Sequence, residues 1–288
     1  MKIYLAAVEG GGCKPVRDKI ESALYSFYYI KRSKQCIKDA KKLHRSVFID
    51  SGAHSFFAET EGIGSANHKI KKSKTKGTPQ EYFEIYLSWL VENYEYYDYY
   101  AELDIGELVG QQTVNDWREQ LKIKGVFDKC ITVFHPTCMD WNDYTRMLDD
   151  SESGFIALEG DRNSIRKRLN YNKYLKPANE RQIKVHGFAM TKQDVLNSFP
   201  FYSVDSASWL QAQMYGTLPC FINGKLTALR WADKKHYLRY HKMNLDRLRS
   251  DDKQAQRIYT MELSILAYKE MEEYYTNLWT KRGIIWNE

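Results

Sequence analysis

Short apolar runs rich in β-branched and aromatic residues recur along the chain, each separated from the next by a polar or amphipathic segment. "KIYLAAVE" opens the series, and "LYSFYYI" follows a short helical candidate near Arg17 to Ser22. "SVFID" follows the basic, helix-like "SKQCIKDAKKLHR". "YYAELDI" follows a long helix that should start at Thr78-Pro79, a cap followed by a first-turn proline. "CITVFH" follows a helix over Gln111 to Lys122, and "GFIALEG" follows "WNDYTRMLDD". "QIKVHGFA" follows "DRNSIRKRLNYNKYL", and "FYSVD" follows "TKQDVLNSF".

Strands alternating with helices in this way predict a parallel α/β architecture, and eight units predict a closed (β/α)8 barrel of the TIM type. An open doubly wound sheet is the alternative, but "EGGGCKP" after the first strand lacks the G-x-G-x-x-G spacing. Beyond residue 210 the chain runs through "GTLPCFINGKL" into helical segments at about 233 to 248 and 253 to 280. The expected organisation is a barrel over 1–210, with 211–288 as a C-terminal helical extension packed on the same domain.

Chemistry in such a barrel gathers where strands end. Those positions hold Glu9, Asp50, Asp104, His135, Glu159, His186 and Asp205, so all but one of the candidate strands finish in an ionisable group. Three uses are open at this level. A metal site would draw on the histidines and carboxylates, although no H-x-H or H-E-x-x-H pair anchors it. Glycosyl transfer would use one carboxylate as nucleophile and another for the leaving group's proton. A plain scaffold would pair the charges with loop lysines.

Composition narrows the setting. The chain has 288 residues, 43 Lys and Arg against 37 Asp and Glu, and 43% hydrophobic residues, ordinary for a soluble globular protein. No apolar run is long enough to span a bilayer, and "MKIYLAAVEGGG" is too short and acidic for a signal peptide, so a cytosolic setting is expected, or a host cytosol. Cys13, Cys36, Cys130, Cys138 and Cys220 form no CxxC pair and read as reduced thiols. Lys69, Lys71, Lys72, Lys74 and Lys76 crowd a Gly-flanked polar segment without one acid, either a solvated loop or an arm that grips phosphates. Tyrosine is abundant at 22 residues, and "YLSWLVENYEYYDYY" reads as a helix face packed on a core. That aromatic content is compatible with a homodimer, which no motif compels.

Four stretches taken together resemble the tRNA-guanine transglycosylase superfamily. "FIDSGAHSF" is similar to its D-S-G-G-[FY]-Q stretch, and "AELDIGE" to the strand whose aspartate reads the purine. "KVHGFAM" is similar to its apolar-M-G-V-G segment, and "YSVDSASW" to the strand carrying the nucleophilic aspartate. Order and spacing fit over roughly residues 46 to 210. The resemblance implies base exchange, with Asp205 attacking C1′ of a guanosine-type nucleotide and Asp50 moving the base's proton. Asp104 would read the purine's N1–H and exocyclic amine. Ser51, Gly52 and Gly187 fall in the matched motifs and join the expected substrate-binding set. His54 and His186 would flank the base by stacking, and His135 would stand in for a polar amide contact. Glu159 replaces part of a double-glycine turn and would bring a negative charge near the base, favouring a cationic substituent or adding an acceptor.

Departures from the family shift the expected polymer. The zinc signature C-x-C-x-x-C is absent, and Cys220 with His236 and His241 is too sparse to replace it, so no structural zinc is expected. No cofactor is expected either; the co-substrate would be a 7-deazaguanine base of the preQ0 or preQ1 kind. "SASWLQAQ" lacks the arginines with which tRNA enzymes contact their loop, and the chain opens directly in its first strand. These features are more similar to the compact phage-encoded relatives that place 7-deazaguanines in DNA. The expected partner is therefore DNA, with tRNA as the alternative, and no membrane.

Overall fold

The computed structural model describes residues 1–53, 55–56, 77–136, 138–159, 170–211, 217–230, 244–248 and 250–286. Eight parallel strands close a barrel in chain order: β1 (Lys2–Ala6), β2 (Ser22–Ser26), β3 (Ser46–Asp50), β4 (Tyr99–Ala101), β5 (Cys130–Phe134), β6 (Phe155–Leu158), β7 (Lys184–Gly187) and β8 (Ser203–Ser206). The ring shuts where β8 pairs with β1, with Tyr4 opposite Asp205.

Strand alternation sorts the side chains into two layers. Tyr4, Phe48, Ala101, Ile131, Val133, Phe155 and Ala157 fill the interior of the barrel. Their neighbours Ile3, Val47, Ile49, Ile156, Val185 and Val204 belong to the larger core beneath the helices. The outer ring contains α1 (Lys34–Leu43), α2 (Pro79–Glu92), α3 (Gln111–Ile123), α4 (Trp141–Asp149), α5 (Asn172–Glu180), α6 (Gln193–Ser198) and α7 (Lys253–Lys281). α2 begins where its sequence says, at a capping box in which Thr78 accepts from Glu81 N and the Glu81 carboxylate accepts from Thr78 N.

Three elements differ from the sequence reading. Only the first half of "LYSFYYI" is strand; Phe27–Ile30 coil into a helical turn so that Phe27 can pack against Tyr82, Tyr86 and Trp89 of α2. The segment expected as a helix near Arg17 is a 3-10 helix over Gly11–Lys19. Arg17 fastens it to the mouth, donating to the carbonyls of Val8, Glu9 and Gly10 at 2.7, 2.5 and 3.1 Å. The stretch after residue 216 contains an antiparallel hairpin, β9 (Thr217–Ile222) and β10 (Lys225–Arg230), turning at Asn223-Gly224 with both φ angles positive.

α7 occupies the outer wall beside β1 and β8. The Met1 amino group donates to Thr276 Oγ1 at 3.1 Å, Ile3 N to Glu272 Oε2 at 2.5 Å, and Trp279 Nε1 to the Leu196 carbonyl at 3.0 Å. The Tyr268 hydroxyl meets Ser206 Oγ at 3.2 Å. This helix backs the strand that carries Asp205. Among the described residues, no helix is long and apolar enough to cross a membrane.

Candidate active site

The strand ends bring four acids and one histidine into the barrel mouth, and they divide into two groups. On one side stands Asp50, the last residue of β3. Gly52 has a φ of +73°, and a Cβ there would lie 2.6 Å from Tyr28 Cβ, so only glycine makes this turn without a clash. The turn brings the Gly52 N–H back to Asp50 Oδ2 at 3.1 Å. Burial, then the negative charge of Asp104, push the Asp50 carboxyl up to about 7, with Asp205 and Glu9 adding to the rise against the Gly52 hydrogen bond. Asp50 can therefore hold or release a proton near neutrality.

Asp104, just beyond β4, faces His135, just beyond β5. His135 Nδ1 lies 2.7 Å from Glu159 Oε2, a hydrogen bond. Its Nε2 is 3.5 Å from Asp104 Oδ2, a charge contact outside hydrogen-bonding geometry. Burial works against an imidazolium here, but Asp104 and Glu159 outweigh it and push His135 up to about 10. Asp104 itself is raised by burial, an effect its contact with His135 opposes. The three side chains form a row, acid–imidazolium–acid, with Glu159 about half exposed at the rim.

On the other side stands Asp205, within β8 and 13% exposed. The Ala189 N–H donates to its Oδ1 at 2.7 Å. Ala189 has a φ of 54°, the left-handed region that a non-glycine residue seldom enters, and this turns its N–H toward the carboxylate. His186 Nε2 approaches the same Oδ1 at 3.3 Å.

The placement corrects the stacking role expected of His186. His186 has no exposed surface. It lies inside the barrel with its ring against Tyr4, Phe48, Phe155 and Phe188, so it cannot offer a face to a base. Ser51 is fully buried and faces away from the mouth; its carbonyl accepts from Tyr82 and its Oγ from Ala53 N. Gly187 is buried as well, and a Cβ there would meet Met190 Sδ at 2.9 Å and Phe201 at 3.1 Å, so its small size serves packing. Asp50, Asp104, His135, Glu159 and Asp205 do share the mouth. His54 and the lysines at 69, 71, 72, 74 and 76 lie outside the described residues.

Sequence reasoning missed two supports of the site. Glu102 is buried and takes a bidentate pair from Arg118 of α3 at 2.6 and 2.7 Å. It also accepts from Val133 N at 2.7 Å, tying the short β4 to β5 directly below Asp104 and His135. The other is Ser203, whose Oγ lies 2.8 Å from His186 Nδ1. Cys220 is buried in β9, and His236 and His241 lie outside the described residues. Among the described residues, no group of three His, Cys, Asp or Glu side chains is placed to hold a metal ion.

Fold and site together define a (β/α)8 barrel with an acidic mouth at the C-terminal ends of its strands, an architecture compatible with an enzyme. No protein-family model matches the chain, and no curated protein matches its sequence. Among solved structures, it is similar to a protein from Coccidioides immitis provisionally assigned as a fructose-1,6-biphosphate aldolase, with a TM-score of 0.51 and 8% identity over 96% of this chain and 91% of that one. At that identity the likeness shows the barrel fold alone.

Proposed function

We propose that the protein is a nucleic-acid guanine transglycosylase that exchanges guanine for a 7-deazaguanine base in DNA. The observation that carries the reading is the pair of aspartates in one mouth, Asp50 and Asp205, with opposite surroundings. Asp205 accepts the Ala189 N–H on one oxygen and is the nucleophile, whereas Asp50, raised to about 7, is the proton carrier. The motif order in the sequence supports the same assignment.

In this reading an Asp205 oxygen forms a bond to C1′ as the C1′–N9 bond breaks. Guanine leaves with that electron pair and takes a proton from Asp50. The incoming 7-deazaguanine then gives its N9 proton to Asp50 and bonds to C1′, and the Asp205 carboxylate departs with the electrons of the ester bond. Two inversions give retention. Asp104 accepts from the purine's N1–H and amine, with His135 and Glu159 holding it from behind. A purine without those donors leaves a buried carboxylate unmatched and is rejected. In a duplex the target nucleotide must leave the stack, at a cost of about a few kcal/mol, which favours unpaired DNA.

The test is release of labelled guanine from DNA and from unmodified tRNA in parallel, with several 7-deazaguanines and the Asp205→Asn variant as control. Release from DNA that vanishes in the variant supports the reading. Release from tRNA alone keeps the chemistry and changes the polymer, and release from neither contradicts it.

A further inference from the structure

Behind Asp205 lies a buried polar chain that the base-exchange chemistry as stated does not use. Ser203 and Asp205 are two apart on β8 and so face the same side, and His186 on the neighbouring β7 sits between them. The imidazole is fully buried among aromatic rings. Its Nδ1 bonds Ser203 Oγ at 2.8 Å, while its Nε2 is buried, makes no completed hydrogen bond, and has Asp205 Oδ1 at 3.3 Å. A buried nitrogen left open beside a carboxylate is costly unless it closes on that carboxylate at some point in the cycle.

We propose that His186 and Ser203 are positioning residues that hold Oδ1 of Asp205 as a fixed acceptor and leave Oδ2 as the reacting oxygen. The proposal rests, for its chemistry, on the base-exchange reading. A neutral imidazole carries one proton. Placed on Nδ1, it would point at Ser203 and turn the Nε2 lone pair toward the Asp205 carboxylate, which repels it. Placed on Nε2, it points at Oδ1, and the Ser203 hydroxyl donates to the bare Nδ1. The Asp205 carboxylate, which can only accept, therefore selects the tautomer, and Ser203 supports it by donating to the bare Nδ1, as an outer partner does for a metal-bound histidine.

The consequence falls on both displacements. Oδ2 forms the ester bond to C1′, and Oδ1 becomes the ester carbonyl oxygen, still facing the Ala189 N–H and closed on by the His186 N–H. When the second base attacks, the O–C1′ electron pair returns to a carboxylate whose donors are already in place. Such preorganised donors act where charge develops. Loss of the Nε2–H should then slow discharge of the glycosyl-enzyme more than its formation.

Two measurements on the full-length protein test this. In nitrogen-15-labelled protein, with the signal assigned by its loss in His186→Gln, the His186 ring should carry its proton on Nε2, and Ser203→Ala, which leaves Nδ1 without its donor, should weaken that preference. A proton on Nδ1 in the wild type, alone or with one on Nε2, overturns the Ser203 assignment. Separately, a glycosyl-enzyme formed on a guanine-containing oligodeoxynucleotide and chased with a 7-deazaguanine should discharge about 10- to 100-fold more slowly in Ser203→Ala, with oligonucleotide KM unchanged. An unchanged chase rate in a variant whose tautomer has moved overturns the positioning role. A wild type that shows the Nε2–H form yet releases no guanine defeats the base-exchange reading and keeps the arrangement around Oδ1.

Discussion

The two sides of the barrel mouth handle carboxyl groups in contrary ways. Around Asp205 on β8 stand a strained backbone N–H from Ala189, which donates to Oδ1, and a buried imidazole whose Nε2 approaches the same oxygen. Around Asp50 on β3 burial raises the pKa most, and Asp104, Asp205 and Glu9 add to the rise while one glycine N–H opposes it. Glu9 keeps its Oε2 buried and without a hydrogen-bond partner, so it adds negative character and relieves nothing. The contrast shows how one ring of strand ends can house two aspartates with different work. In the proposed reaction a backbone donor orients one to attack, and burial, with neighbouring acids adding to it, readies the other to carry a proton.

Removing the donor-side acid should have the largest effect. Asp205→Asn is expected to lower guanine release by about 10⁴-fold or more, because the proposed ester forms on this carboxylate; steady-state assays on the folded variant check this. Asp50→Asn should lower release by about 10²–10⁴-fold, the usual contribution of a positioned proton donor.

The same substitution sharpens the comparison through stability. Folding lifts Asp50 from 3.8 to about 7, so between those values the folded protein keeps a proton that the unfolded chain has lost. Stability therefore falls as pH rises through that window, and above it the folded state bears the full penalty. Asn removes the penalty. The variant should melt a few degrees above wild type at about pH 8, where about 1 kcal/mol moves a protein of this size by roughly 2–4 °C. Below the unfolded value the advantage should vanish. An inactive variant with no pH-dependent gain would mean that burial and the neighbouring acids do not hold the Asp50 proton.

The Asp104–His135–Glu159 row gives a smaller effect. Because His135 is raised to about 10, its contribution to stability is complete below 6.5 and disappears as pH climbs through about 10. Glu159→Gln should bring the His135 titration down by about one unit or more, read from its ring protons, and flatten that decline. Smallest of all is Ala189→Gly, which keeps the N–H and relieves the left-handed backbone. It should change guanine release by no more than about threefold and stability by no more than about 1 kcal/mol.

The barrel was legible because its strands are short β-branched and aromatic runs closed by ionisable residues, and Asp50, Asp104, His135, Glu159 and Asp205 stood out for that reason. Depth was not legible. His186 looked like a strand-end group, yet it precedes the last residue of β7 and stays one layer down, enclosed by Phe48 and Phe188. Ser51 was expected to bind substrate, although strand alternation from Asp50 sets the two side chains on opposite faces. The hairpin also left a sign, the Asn223-Gly224 turn between apolar runs. Glu102 left none. Its partner Arg118 lies on a helix whose rotation against the barrel is set by packing.

In the proposed reaction Asp205 forms a covalent bond to a nucleotide sugar. The most direct test is mass spectrometry of the protein incubated with a guanine-containing oligodeoxynucleotide and no incoming base. The expected result is an adduct of the oligonucleotide less guanine, mapped to Asp205 and discharged on adding a 7-deazaguanine. An adduct on another residue, or guanine release with no adduct at all, would contradict it.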